Sequence, residues 1–230
     1  MQKRLVRKLD LEKAVAQVAP HPSPKAYLEQ YTISPEAAAE ILFTATYIYN
    51  DICDKRVIDL GCGTGRLAIA AALLGAKEVV GVDIDKTATK QAAMNAERLH
   101  IKTKISWIIT DIGTIRGSFD TVLQNPPYGV QKRGADLKFL EKALQIGKRV
   151  YSLHKSVKTV GKQKPMPSPF LERFIERNDG EIKAISFLLM NVPHMFVFHQ
   201  KHVHQFPVNL YVIERKNKRF IEQQKGKVSS

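Results

Sequence analysis

Residues 56–76 read RVIDLGCGTGRLAIAAALLGA, and this stretch decides the fold. RVIDL (56–60) has the density of branched apolar residues that a strand buried on both faces requires, and GRLAIAAALLGA (65–76) has the Ala/Leu composition of a helix stopped by Gly75. Between them, glycines at alternate positions 61, 63 and 65 let the backbone turn sharply and approach a ligand without a Cβ clash. A loop at such a strand-to-helix junction lies at the carboxyl edge of a doubly wound sheet, where these folds place their ligands.

Outward from this unit the alternation repeats. EVVGVDI (78–84), KISWIIT (104–110), DTVLQN (120–125) and RVYSLH (149–154) read as strands, with helices over KTATKQAAMNAERL (86–99) and about 136–147. Strands separated by helices imply parallel pairing with helices on both faces. IKAISFLL (182–189) and PVNLYVIER (207–215) are joined without an obvious helix, which makes the final pair antiparallel. Upstream, a helix near 4–18 precedes a connection broken by Pro20, Pro22 and Pro24, and a second helix runs to about Tyr49 with Ser34 as N-cap and Pro35 at its first position. The expected fold is α/β and Rossmann-like, a seven-stranded, mostly parallel sheet with helices on both faces and an antiparallel last strand. Residues 1–50 form an N-terminal helical extension packed on the core, 51–215 the main domain and 216–230 a basic tail.

The chain has 230 residues with 36 Lys+Arg against 22 Asp+Glu, a net charge of +14 that excludes an acidic or neutral metabolic enzyme of ordinary balance. The positive charge is grouped in residues 1–13, 131–164 and 215–230, leaving a near-neutral body. Such grouping suits a polyanion bound along a defined track. Apolar runs fall short of the roughly 18–20 residues that span a bilayer. Charges interrupt the N-terminal apolar positions, unlike a secretory signal. Cys53 and Cys62 are too few for a disulfide framework and wrongly spaced for zinc, so an intracellular, cytoplasmic protein is expected.

The glycine loop is not a dinucleotide cradle. A G-x-G-x-x-G loop needs its third glycine at position 66, where Arg66 stands. Asp83, twenty-two residues after Gly61 at the end of the second strand, is placed to accept hydrogen bonds from two ribose hydroxyls, and Asp111 ends the third strand where a carboxylate can receive an adenine amino group. This describes an adenosine pocket without a pyrophosphate site, which suits S-adenosylmethionine.

Asn125-Pro126-Pro127-Tyr128 follows the fourth strand on the same edge. Two prolines continue neither strand nor helix, and they hold a fixed loop with bare carbonyl oxygens. An exocyclic amino nitrogen is a poor nucleophile because its lone pair is delocalised. Accepting its two N–H groups with the Asn125 side-chain oxygen and the Pro126 carbonyl favours a tetrahedral nitrogen and frees that pair for in-line attack on a sulfonium methyl. Tyr128 would stack on a flipped base.

DLGCGTG, VVGVDID and NPPY together resemble class I N-methyltransferases acting on planar amino groups. LEQY (28–31), DLGCGTGRLAIAAALLGA (59–76), GVDID (81–85), NPPYG (125–129), GADLKFLEKAL (134–144) and VYSLHKS (150–156) resemble more closely the methyltransferase-like-5 family of ribosomal-RNA adenosine N6-methyltransferases, over about residues 3–215. The resemblance implies a class I methyltransferase fold, cofactor contacts from Gln30, Gly61, Asp83 and Asp111, and catalysis by Asn125, Pro126, Pro127 and Tyr128. Asp59, Cys62, Gly63, Gly65, Ile84, Ile112 and Asn125 complete the expected cofactor pocket.

Lys132, Arg133, His154 and Lys155 fall in the internal basic segment and are expected to contact RNA phosphates. FVFHQKHVHQF (196–206) suits a hairpin surface, and no metal is expected. In the sheet order of this methyltransferase class the third strand, 104–110, lies at an edge, although it carries Ile105, Trp107, Ile108 and Ile109. An apolar edge invites pairing. The resemblance agrees, implying a small zinc-binding activator protein that adds a strand there. The expected activity is N6-methylation of an adenosine in small-subunit ribosomal RNA. The alternatives are a protein glutamine N5-methyltransferase acting on a release factor, a DNA adenine methyltransferase, or a catalytically silent RNA-binding assembly factor.

Overall fold

Alternation along the first strand sorts the core into two layers. In the computed structural model, which describes residues 6–101, 105–129, 131–156, 166–193 and 203–216, β1 (Arg56–Leu60) sends Val57 into one apolar layer and Ile58 and Leu60 into the other. It pairs in parallel with β2 (Glu78–Asp83) and β4 (Phe119–Gln124), setting Ile58 opposite both Val80 and Val122. β3 (Ile105–Ile109) joins β2, and β5 (Gly147–Lys155) joins β4, again in parallel. The sheet order is β3-β2-β1-β4-β5-β7-β6, with β7 (Val203–Arg215) antiparallel to both β5 and β6 (Gly180–Pro193).

Helices α1 (Lys8–Ala16), α2 (Pro35–Phe43) and α3 (Arg66–Leu73) share the Val57 layer, where Leu11, Val15, Ile41 and Leu42 meet Leu67 and Ile69. α4 (Lys86–Arg98) adds Ala96 to this layer. The opposite face is covered by α5 (Ala135–Ile146), through Leu140, Ala143 and Leu144, and by α6 (Pro169–Arg177), through Leu171 and Ile175. Each fully buried Leu or Ile stabilises the fold by about 1.5–3 kcal/mol. Ser34 caps α2 through its side chain, which accepts from Ala37 N at 3.3 Å.

The strand boundaries agree with the sequence reading to within a few residues, except that β5 and the last two strands are longer. The second helix ends sooner: α2 stops at Phe43, and Thr44–Ile48 continues as a π-helical turn. α6 was not expected. Its connection carries the chain from β5 to β6, two parallel strands separated by β7, and such a return has to cross a face of the sheet. The expected tail beyond residue 216 and the stretch with His199 and His202 lie outside the described residues. No helix among the described residues is long and apolar enough to cross a membrane.

β3 is an edge strand as expected, with Ile108 and Ile109 39% and 49% exposed. Trp107 is not part of that exposed edge. Its ring lies over Gly81 and Gly65, so closely that a Cβ on either glycine would fall 2.4 and 2.6 Å from ring carbons. The third glycine of the loop is thus glycine to admit an indole.

Candidate active site

Parallel pairing brings the carboxyl ends of β1, β2, β3 and β4 to one edge, so the loops after them converge on a cleft enclosing about 1010 Å³ of space open to solvent. Gly61, Cys62, Gly63, Asp59, Asp83, Ile84, Asp111, Ile112, Asn125 and Pro127 line it, as the sequence reading expects. So do residues 28–33 of the N-terminal segment, where the resemblance places Gln30, together with His21, Arg66 and Phe139, which no motif pointed to.

Asp59 is 1% exposed. Its Oδ2 accepts from Ala68 N at 3.0 Å, and its Oδ1 has no hydrogen-bond partner among the described residues. Burial pushes its carboxyl up to about 7, with the Asp83 charge adding to the rise and the Ala68 bond opposing it. Asp83 accepts from Gly63 N and Asp85 N, both at 2.8 Å, which fixes its carboxylate at the end of β2. Each oxygen keeps a lone pair for a further donor. Burial raises its pKa too. Gly63 lies at φ +53° and a Cβ there would meet nothing within 4 Å, so the loop is open on the cleft side. The thiol of buried Cys62 is pushed well up by burial and carries no charge at neutral pH.

Gln30 lines the cleft, but its amide is engaged by the protein. Oε1 accepts from Lys25 N at 2.7 Å and Nε2 donates to Asp85 Oδ2 at 2.9 Å. Asp85 also pairs with Lys25 at 3.1 Å and lies 3.5 Å from His21 Nε2. Burial opposes its charge, yet Gln30, Thr87 N and Lys25 together hold its carboxyl well below the usual range. Gln30 and Asp85 therefore brace the N-terminal wall against the loop after β2. Arg66 braces the same wall from beneath, its guanidinium donating to the carbonyls of Val15, Val18 and Ile33.

Asn125 Nδ2 donates to Tyr31 O at 3.4 Å, and Tyr128 Oη donates to Asn125 Oδ1 at 2.8 Å. A carbonyl only accepts, so the Tyr31 contact fixes which way the amide points. Burial, with a smaller contribution from the Glu29 charge, pushes the Tyr128 phenol up, which keeps it a donor. The Tyr128 ring meets Phe206 edge-on at 5.3 Å between centroids.

Of the expected RNA contacts, Lys132, Arg133 and Lys155 are exposed. His154 is not: it is 2% exposed, its Nε2 is 2.8 Å from Ser152 Oγ, its Nδ1 is 3.8 Å from Asp136 Oδ2, and its ring stands edge-on to Tyr211. β5 continues to Lys155, which places His154 inside the sheet opposite Asn209 and beneath α5, out of reach of phosphate. Ser152 in turn accepts from Gln124 Nε2 at 2.8 Å, so His154 supports the ends of the catalytic loop from below. Lys132 borders a second hollow of about 1790 Å³ that adjoins the first and is also lined by Arg116, Lys138 and Lys142.

S-adenosylmethionine presents a nucleoside, a sulfonium and an amino-acid end. The residues present fit it: a buried carboxylate oxygen without a donor at Asp59, open backbone at Gly63, a carboxylate at the ribose position in Asp83, and the apolar pair Ile84 and Ile112 beside Asp111. No group of three or more His, Cys, Asp or Glu among the described residues could hold a metal ion.

Residues 47–126 match a family model described as ribosomal protein L11 methyltransferase (PrmA). An uncharacterised protein of Methanocaldococcus jannaschii is 37% identical over 223 residues, 92% of this chain and 95% of its own length. The rRNA N(6)-adenosine-methyltransferase METTL5 of Danio rerio is 36% identical over 200 residues, 84% of this chain and 91% of its own. The crystal structure of a proposed RNA methyltransferase from Pyrococcus horikoshii superposes with a TM-score of 0.81 at 34% identity, covering 93% of this chain and 100% of that one.

Proposed function

The chain belongs to the METTL5 family of rRNA N(6)-adenosine-methyltransferases, and from that premise we propose that it methylates N6 of an adenosine in small-subunit ribosomal RNA through the loop Asn125–Tyr128. It is an S-adenosylmethionine-dependent enzyme with an RNA substrate. The observation that carries the role of the loop is the oriented amide of Asn125, whose Nδ2 donates to the Tyr31 carbonyl so that Oδ1 is the accepting atom, with one lone pair left beside the bond from Tyr128.

When bound, S-adenosylmethionine supplies an electrophilic methyl group on a sulfonium. Asp83 would accept from its ribose and Asp111 from its adenine amino group, beside Ile84 and Ile112, while the free oxygen of Asp59 would take its ammonium. Asn125 Oδ1 and the Pro126 carbonyl accept the two N–H groups of the target and turn its lone pair towards the methyl, a gain in orientation rather than in acid–base chemistry. Pro127 and Tyr128 bound the space for the base. The amino proton becomes acidic only after transfer. Lys132, Arg133 and Lys155, exposed beside the loop, hold the strand by its phosphates.

Incubation with labelled cofactor and, separately, small-subunit RNA, duplex DNA and a release factor, followed by digestion, tests this reading. Label should appear as N6-methyladenosine from RNA alone. Label in glutamine would favour the amide-methylating alternative.

The open edge of β3, with Ile108 and Ile109 exposed, supports strand addition by a small zinc-binding activator protein. Ile109→Pro should abolish co-elution with that protein, while unchanged co-elution would exclude this edge. Cytoplasmic residence follows from the same reading and is checked by fractionation.

A further inference from the structure

The hollow beside the cofactor cleft is walled differently from the cleft itself. Four cations line it: Arg116 between β3 and β4, Lys132 beyond the catalytic loop, and Lys138 and Lys142 on α5. None of the four forms an ion pair among the described residues. Lys142 Nζ donates to Ile115 O at 3.2 Å, and the Arg116 guanidinium donates to Gly113 O and Ile115 O, which pins both heads to the turn over residues 113–116. An ammonium has three donors and a guanidinium five, so both keep donors for a ligand. Of the three acids in the same lining, Asp111 is assigned above to the cofactor's adenine, Glu29 Oε1 accepts from Gln131 N at 2.7 Å, and Glu141 is exposed on α5.

Two aromatic rings share the hollow with these cations. Tyr27, on a short 3-10 turn over Ala26–Leu28, is 65% exposed, whereas Phe139 of α5 is half-buried. The cofactor does not account for this set. S-adenosylmethionine carries no phosphate, its sulfonium and ammonium are positive, and none of the four cations lines the cleft that fits it. Grouped cations beside an exposed aromatic face suit a single strand of nucleic acid, which puts phosphates on the one and stacks a base on the other. Pro127 of the catalytic loop borders both spaces, so a strand that delivers its target to the loop reaches the hollow with a neighbouring nucleotide.

We propose that this hollow is a second RNA subsite, holding an unpaired nucleotide beside the target with its base stacked on Tyr27 and its phosphates on Arg116, Lys132 and Lys138. This rests on the RNA methylation proposed above and adds the path of the strand, which runs from the catalytic loop along α5 towards the turn before β4. A base stacked on Tyr27 is not paired, so the substrate presents its adenosine in a loop or bulge and not within a duplex. The subsite reads charge and the face of a base, and it leaves cofactor binding alone.

Tyr27 and Lys138 are both exposed and neither side chain makes a hydrogen bond among the described residues, so their variants probe the subsite without disturbing the fold. Tyr27→Ala should weaken binding of small-subunit RNA by about fivefold or more without changing its salt dependence, and Tyr27→Phe should bind like wild type. Lys138→Ala should lower the slope of log affinity against log salt by about 1. Ultraviolet cross-linking of the wild-type chain to the same RNA should attach a nucleotide to Tyr27, and calorimetry should find cofactor affinity unchanged in every variant. RNA affinity and slope equal to wild type in both Tyr27→Ala and Lys138→Ala would overturn the proposal. An effect of Lys138→Ala alone would do so too, because it leaves a phosphate contact without a base site. Loss of cofactor affinity with RNA binding intact would give the hollow to the cofactor instead. Wild-type protein that forms no N6-methyladenosine would defeat the functional reading on which the subsite rests.

Discussion

The Tyr128 hydroxyl donates a 2.8 Å hydrogen bond to Asn125 Oδ1, the oxygen that has to accept the target amino group. The two demands are compatible because an amide oxygen has two lone pairs, but they share one atom. Tyr128→Phe removes the competing donor and keeps the ring, so activity should stay within threefold of wild type. Tyr128→Ala removes the wall of the base site and should lower the single-turnover rate by a hundredfold or more. Equal losses in the two variants would mean that the hydroxyl, not the ring, is what the reaction uses.

Asp59 makes cofactor binding depend on pH. Its folded carboxyl lies at about 7, above the ordinary value of 3.8. For an acid shifted up, the stabilising contribution is complete below the unfolded value and is lost as pH rises through the folded one. The ligand-free protein therefore loses stability between about pH 4 and 7. A bound ammonium favours the ionised form, so cofactor affinity should rise from pH 6 to 8 and binding should release a proton. Calorimetry in two buffers of different ionisation enthalpy detects that proton, and Asp59→Asn should abolish it.

Arg66 is a buried guanidinium pushed down to about 10 by desolvation, so it is still charged at neutral pH, and it donates to three backbone carbonyls, of Val15, Val18 and Ile33. Arg66→Met takes this donor from the carbonyls of Val18 and Ile33, while Val15 O keeps Val18 N, at a cost of about 3 kcal/mol. In a domain of this size that lowers the melting temperature by roughly 6–12 °C. Limited proteolysis should cut first between residues 17 and 34, and the cofactor should bind more weakly because that segment is a wall of its cleft. Unchanged proteolysis would deny Arg66 its bracing role.

RNA affinity should fall steeply with salt. Lys132→Ala with Arg133→Ala should reduce the slope of log affinity against log salt by about 2. His154→Ala should leave the slope alone and lower stability by about 1–3 kcal/mol, since it opens a buried network under the loop. A reduced slope for His154→Ala would put it on the RNA surface after all.

The strands and the loops that end them were legible because parallel strands buried on both faces read as continuous apolar runs, and the loops between them had unusual chemistry. Asp83, Asp111 and Asn125 stand out by that logic, and the three line one cleft. His154 reads as the exposed end of strand five, but the strand runs one residue further, and the alternation Val150, Ser152, His154 puts it on the inner face towards α5. Trp107 looked like an edge residue until the glycines it covers, 81 and 65, were brought beside it by the β2–β3 register. Gln30 was assigned to the cofactor, and its partners Lys25 and Asp85 show a brace that no local pattern announces. The bond from Gln131 to Glu29 joins residues 102 apart in the chain, a relation that only the fold creates.

The proposed transfer depends on Asn125 as the acceptor of the target's N–H. Single-turnover methyl transfer by Asn125→Ala, paired with calorimetry of the cofactor on the same preparation, tests this most directly. The rate on ribosomal RNA should fall by a thousandfold or more while cofactor affinity changes by less than threefold. Transfer at near wild-type rate, with adenosine still the methylated nucleoside, would contradict it.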